Sequence, residues 1–262
     1  MKIKFNYPFH MVSISPWPLL TSLSIFITLT GSIIIFNYKN LMIIFIGMIS
    51  IMLCSFQWWR DTIRESTYQG FHTKKVYNGL KLGMFLFIIS ELMLFFSFFW
   101  AYFHSALSPN IELGVLWPPK NIIQFDPYKI PLLNTLILLS SGVTITWSHY
   151  SFFKNNKSYG MFSLFLTIML GLIFTGMQSY EYYQSNFSLS DSIYGSLFFL
   201  TTGFHGLHVI IGTIFLTISL LRMMLNHFSS YHYFSFEASA WYWHFVDVIW
   251  LIVFTMVYWW NY

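Results

Sequence analysis

Residues 192–225 read SIYGSLFFLTTGFHGLHVIIGTIFLTISLLRMML, 34 consecutive residues whose one formal charge, Arg222, stands near the end. A surface helix of a soluble protein keeps one face polar, and this stretch is apolar all round. About 20 such residues suffice to cross roughly 30 Å of hydrocarbon. Backbone amides must be paired inside lipid, so a crossing segment is a helix or a strand of a closed barrel. Continuous rather than alternating hydrophobicity excludes the strand.

Working outward, six more apolar runs occupy about 17–36, 41–59, 76–105, 130–153, 159–183 and 238–260. The expected fold is therefore all-α: a polytopic membrane protein of seven transmembrane helices. The first two runs are short and separated only by Asn37-Tyr38-Lys39-Asn40, so they are expected to form a helical hairpin. A polar stretch, 60–75, follows them. The third run leads into a loop of about 106–129 that carries Pro109, Pro118, Pro119 and Pro127. Runs three and six exceed the bilayer thickness and are expected to tilt or protrude.

Composition agrees, because a chain with 56% hydrophobic, 22% aromatic and 8% charged residues cannot present a solvated surface all round. The net charge of +4 does not indicate nucleic acid, since the basic residues punctuate the apolar runs and do not cluster on one face. A single cysteine, Cys54, permits neither an internal disulfide nor a thiolate cluster. Residues 1–16 have the pattern of neither a secretory signal nor a transit peptide, so no removable leader is expected.

Seven crossings put the termini on opposite sides. Lys2, Lys4, Arg60, Arg64, Lys74, Lys75, Lys154, Lys157 and Arg222 fall on one side, and Lys39, Lys120 and Lys129 on the other; Lys81 lies within run three. The basic side faces inward, so the N-terminus is expected inside and the C-terminus outside. Trp58, Trp59, Trp117, Tyr258, Trp259 and Trp260 fit interfacial belts.

Ionisable groups within the runs are few, and such groups are costly in lipid unless paired or neutral. Glu91 falls mid-way along run three; it is expected to stay neutral and to donate a hydrogen bond between helices. A proton relay would need a chain of titratable partners, and run three shows none. His205 and His208 are three apart and share a face of run six. A catalytic zinc site needs a third ligand and a bis-histidine haem needs matched histidines on two helices, so packing around Gly203 and Gly206 is the preferred reading over ligation. His244 and Asp247, again three apart, read as a paired, orienting contact. No phosphate loop, dinucleotide turn or nucleophile motif is present, and no repeat with matching broken helices suggests a transporter. No catalytic residue and no metal ligand is expected.

A series of blocks then carries a specific resemblance. They are Ser15-Pro16-Trp17-Pro18, Gln57-Trp58-Trp59-Arg60-Asp61, Ser90-Glu91 running into Phe98-Phe99-Trp100-Ala101-Tyr102-Phe103-His104-Ser105, and Trp117-Pro118-Pro119. Pro131-Leu132-Leu133-Asn134-Thr135, Glu181-Tyr182, Asp191-Ser192-Ile193-Tyr194-Gly195-Ser196, Gly203 to His208 and Trp241-Tyr242-Trp243-His244-Phe245-Val246-Asp247 continue it. In order and spacing the chain resembles the cytochrome c oxidase subunit III family along nearly its whole length. It departs at Asn121, where that family commonly has glycine.

The resemblance implies an accessory, non-redox subunit of mitochondrial cytochrome c oxidase, which passes electrons from cytochrome c to oxygen and pumps protons. It implies residence in the inner membrane with the N-terminus in the matrix and the C-terminus in the intermembrane space. Subunit I is the implied main partner among the other complex subunits. Haem and copper are implied only in subunits I and II, with no cofactor in this chain beyond bound phospholipids. Lipid is expected in a cleft between the two-helix hairpin and the five-helix bundle, held by Trp59, Arg64, Glu65, His72, Arg222 and His232. Glu91 matches the family's buried, carbodiimide-reactive glutamate. Two alternatives from other classes remain: a proton or solute transporter, which needs intramembrane charges converging on one cavity, and a haem-binding membrane cytochrome, which needs paired histidines at equal depth.

Overall fold

A computed structural model describes residues 7–111, 114–229 and 233–260; Lys2, Lys4 and His232 lie outside them. The helices are α1 (Trp17–Tyr38), α2 (Met42–Thr67), α3 (Lys74–Leu107), α4 (Ile130–Phe153), α5 (Lys157–Tyr183), α6 (Ile193–Met224) and α7 (Phe234–Val253). The last continues as a π-helical turn, Phe254–Trp259. Among the described residues seven helices are long and apolar enough to cross a membrane. At 1.5 Å per residue α3 extends about 51 Å and α6 about 48 Å, each well beyond a hydrocarbon core.

Two helix ends differ from the sequence expectation. α2 continues to Thr67, not 59, because Arg60, Asp61, Arg64 and Glu65 are polar but not helix-breaking, so polarity ends the membrane contact without ending the helix. α7 begins at Phe234, four residues early, with Glu237 in its first turn, where the helix dipole favours an acid.

The chain separates into two units, 1–80 and 81–262, with the division falling inside α3. In the first, α1 and α2 form an antiparallel hairpin. Lys39 takes a left-handed φ of 56° and returns its N–H to Ile35, while Asn40 Oδ1 accepts from the Met42 N–H at 3.0 Å. Two glycines let the backbones touch: a Cβ on Gly31 would lie 2.7 Å from the Ile44 nitrogen, and one on Gly47 2.8 Å from that of Thr28. Close approach through small residues is how helices associate where no hydrophobic force separates lipid from leucine. Further along, Ser24 Oγ sits 3.9 Å from Cys54 Sγ, and the Trp17 indole donates to Asp61 at 2.7 Å.

In the second unit α4, α5, α6 and α7 pack around Trp243, which is fully buried. Its ring occupies a slot between two glycines: a Cβ on Gly171 of α5 would fall 2.6 Å from the ring edge, and one on Gly212 of α6 3.0 Å from it. The indole N–H donates to Ser141 Oγ of α4 at 2.9 Å, so one side chain of α7 touches three neighbours. Serine and threonine continue the α4–α5 seam: Ser148 donates to the Gly160 carbonyl at 2.9 Å, and the Thr144 and Thr167 hydroxyls lie 2.8 Å apart. Of the two glycines expected in a packing seam, Gly206 has nothing within 4 Å of a Cβ position among the described residues, and a Cβ on Gly203 would meet the Tyr182 hydroxyl at 3.9 Å.

The α3–α4 loop packs onto this unit through aromatics. Trp117 meets Tyr102 and Tyr194 edge-on, and Phe125 stacks on Phe198. Asn121, where the resemblance led us to expect glycine, adopts φ 74°, a left-handed conformation that both glycine and asparagine tolerate. Lys81, isolated within its run in the sequence, pairs with Glu237 of α7 at 2.9 Å.

Candidate functional site

Glu91 of α3 and His208 of α6 meet inside the second unit. His208 Nδ1 lies 2.6 Å from the Phe204 carbonyl oxygen, four residues back on the same helix. A carbonyl only accepts, so Nδ1 carries a proton. Nε2 lies 3.0 Å from Glu91 Oε2. With a neutral ring that bond requires a protonated Glu91 as donor; with a carboxylate it requires imidazolium. In either state one proton is shared between Oε2 and Nε2.

Aromatic rings enclose the pair. Phe95 approaches His208 edge-on at 5.1 Å, Tyr242 stacks on it at 6.2 Å and Phe245 stands edge-on at 6.5 Å. Beside the pair opens a cavity of about 330 Å³, walled by Met84, Phe87, Leu94, Phe204, Leu207 and Ile211. The arrangement is an apolar hollow with one hydrogen-bonded acid–imidazole pair at its edge.

His205, although three residues from His208, faces elsewhere. It is fully buried, donates Nε2–H to the Val246 carbonyl at 3.1 Å, and lies against Phe174 and Trp250. The i,i+3 step leaves the two rings on either side of one face, one toward α3 and the other toward α7. The expected His244–Asp247 contact is not formed among the described residues. Asp247 Oδ1 has no hydrogen-bond partner, and Oδ2 lies 2.9 Å from where a Cβ on Gly142 would stand. The gap that Gly142 leaves in α4 takes the carboxyl. Among the described residues no group of three or more His, Cys, Asp or Glu is placed to hold a metal ion.

The sequence marked no role for Glu181, yet it is the most enclosed acid among the described residues of the second unit. It is fully buried on α5, and the Tyr258 hydroxyl donates to Oε1 at 2.6 Å. The available signal was the stripe Gly171, Phe174, Gln178, Glu181, which keeps one face of α5 inward.

The family model described as cytochrome c oxidase subunit III matches residues 7–262. Cytochrome c oxidase subunit 3 of Drosophila melanogaster is 54% identical over 261 residues, covering 100% of both chains. That of Locusta migratoria is 56% identical over 256 residues, 98% of this chain and 97% of the other. That of Tachyglossus aculeatus aculeatus is 54% identical over 256 residues, 98% of each. The chain belongs to the cytochrome c oxidase subunit III family.

The residues named for lipid through that family fall in both units. In the first, Trp59 and Arg64 are exposed. Glu65 accepts from Ser13 Oγ at 3.3 Å and pairs with His10 at 3.5 Å; His10 in turn stacks on Phe71 and stands edge-on to His72 at 5.4 Å. Glu65 and His72 are thus brought together through His10, which no sequence pattern marked. In the second unit the Arg222 guanidinium lies over the Phe228 ring at 4.7 Å, and its buried Nε makes no hydrogen bond. Lys157 donates to the Met224 carbonyl at 3.4 Å and to Asn226 Oδ1 at the end of the same helix.

Proposed function

We propose that this chain serves cytochrome c oxidase as an accessory, non-redox subunit of the inner mitochondrial membrane. It packs against subunit I, holds phospholipid, and supports proton uptake by the subunits that carry haem and copper. The full-length match to the subunit III family carries the reading. The geometry supports it, because three ionisable side chains within the spans tie helices together: Glu91 with His208, Glu181 with Tyr258, Lys81 with Glu237. A transporter would converge such groups on one cavity, and a haem cytochrome would face histidines across it. The hollow beside Glu91 has the apolar walls that an acyl chain prefers. Arg64, Arg222 and His72 offer donors to phosphate, and the basic excess on their side supports a matrix-facing N-terminus.

Native electrophoresis of gently solubilised membranes, with the chain identified by mass, tests the proposal. Co-migration with cytochrome c oxidase activity is expected. Migration with a separate complex, or as a free protein in membranes where the oxidase is intact, would overturn it.

A further inference from the structure

Three side chains in the α4–α5 seam of the second unit are each more than nine-tenths buried: Asn134, Gln178 and Glu181. They are linked. Asn134 Nδ2 donates to Gln178 Oε1 at 3.4 Å, and Gln178 and Glu181 stand on successive turns of one face of α5. Each also keeps one buried polar atom with no hydrogen bond: Asn134 Oδ1, Gln178 Nε2 and Glu181 Oε2.

Buried polar groups without partners are costly, and these three, enclosed near the start of α4 and the end of α5, have no bulk water to turn to. The three atoms amount to two acceptors and one donor. Turning both amides over, so that Gln178 donates to Asn134, again leaves two acceptors and one donor. One water molecule complements that set, since it donates twice and accepts from the remaining N–H. If Glu181 is protonated at Oε2, the same water accepts from it and from Gln178 and donates to Asn134. A cation would satisfy only the oxygens and would be repelled by the Gln178 N–H. Three polar partners also fall within the two to four that buried waters typically make.

We propose that Asn134, Gln178 and Glu181 together hold a single water molecule, a binding site for a small neutral hydrogen-bonding ligand inside the α4–α5 seam. With the Tyr258–Glu181 bond it completes an unbroken hydrogen-bonded chain from α4, across α5, to the final turn of the protein.

The test is a map of the intact oxidase at a resolution that shows ordered waters, from enzyme purified once in sodium and once in potassium buffer. One peak is expected, about 2.7–3.2 Å from all three atoms and unchanged between buffers. Gln178→Met and Asn134→Leu should each remove it while leaving the Tyr258–Glu181 contact in place. No peak in the native enzyme would overturn the proposal. So would a peak that approaches only the oxygens and changes with the buffer cation. Should either variant fail to assemble, the native maps alone decide.

Discussion

His208 Nε2 lies 3.0 Å from Glu91 Oε2 although 117 residues separate the two in the chain. The bond joins α3 to α6, and among the described residues the other hydrogen bond of the pair is the one to the Phe204 carbonyl that orients the imidazole. Removing both members should therefore cost less than the sum of removing each alone.

Glu91→Leu leaves Nε2 of a buried imidazole unpaired and should destabilise the second unit by about 1–3 kcal/mol. His208→Phe strands the carboxyl and should cost a similar amount. The double variant should cost less than the sum of the two, because an apolar pair leaves no unsatisfied atom. Thermal unfolding of the intact complex, followed through dissociation of this subunit, reads all three; strict additivity would mean that the two side chains do not interact.

Two glycines make a paired prediction about packing. A Cβ on Gly171 would meet Trp243 and Thr213 at 2.6 Å, so Gly171→Ala should overpack the slot and cost about 1–3 kcal/mol. Gly206 has open space at that position, and Gly206→Ala should be neutral or slightly stabilising within the chain, since alanine favours the helix by about 1 kcal/mol. On mild heating of the purified complex, Gly171→Ala should lose this subunit at a clearly lower temperature than Gly206→Ala does; equal temperatures would contradict the packing account.

Arg222, with its guanidinium over Phe228 and its Nε unpaired, should contribute to phospholipid retention. Arg222→Ala is expected to lower the phospholipid that co-purifies with the detergent-washed complex, measured by mass spectrometry against the native enzyme. Unchanged lipid with intact assembly would leave the arginine as a solvated, topology-setting charge.

The seven crossings were legible because hydrophobic length is a property of each segment by itself. What the segments do to one another was not. Nothing in the run around Glu91 indicates His208, and nothing around Trp243 indicates that Gly171 and Gly212 open a slot for it, since such partners are chosen by helix packing. Local spacing misled where it was the only guide: His244 and Asp247 are three apart, yet the gap at Gly142 takes the carboxyl. His205 and His208, read as sharing a face, divide between α7 and α3. The polar residues after 59 marked where α2 leaves the apolar phase, while the helix itself continues to Thr67. Glu181 and His10 escaped notice because burial and cross-chain contact, not composition, give them their roles.

We propose that the intramembrane acid of α3 ties helices together and does not turn over protons as a relay. Steady-state oxygen consumption by the assembled oxidase carrying Glu91→Gln tests it most directly. A glutamine amide can still donate to His208 Nε2, so assembly should be normal and initial turnover should stay within about twofold of the native rate, a change of about 0.4 kcal/mol in the barrier. Loss of assembly, or abolition of turnover in an enzyme that assembles, would contradict the account and assign Glu91 a role that needs its ionisable proton.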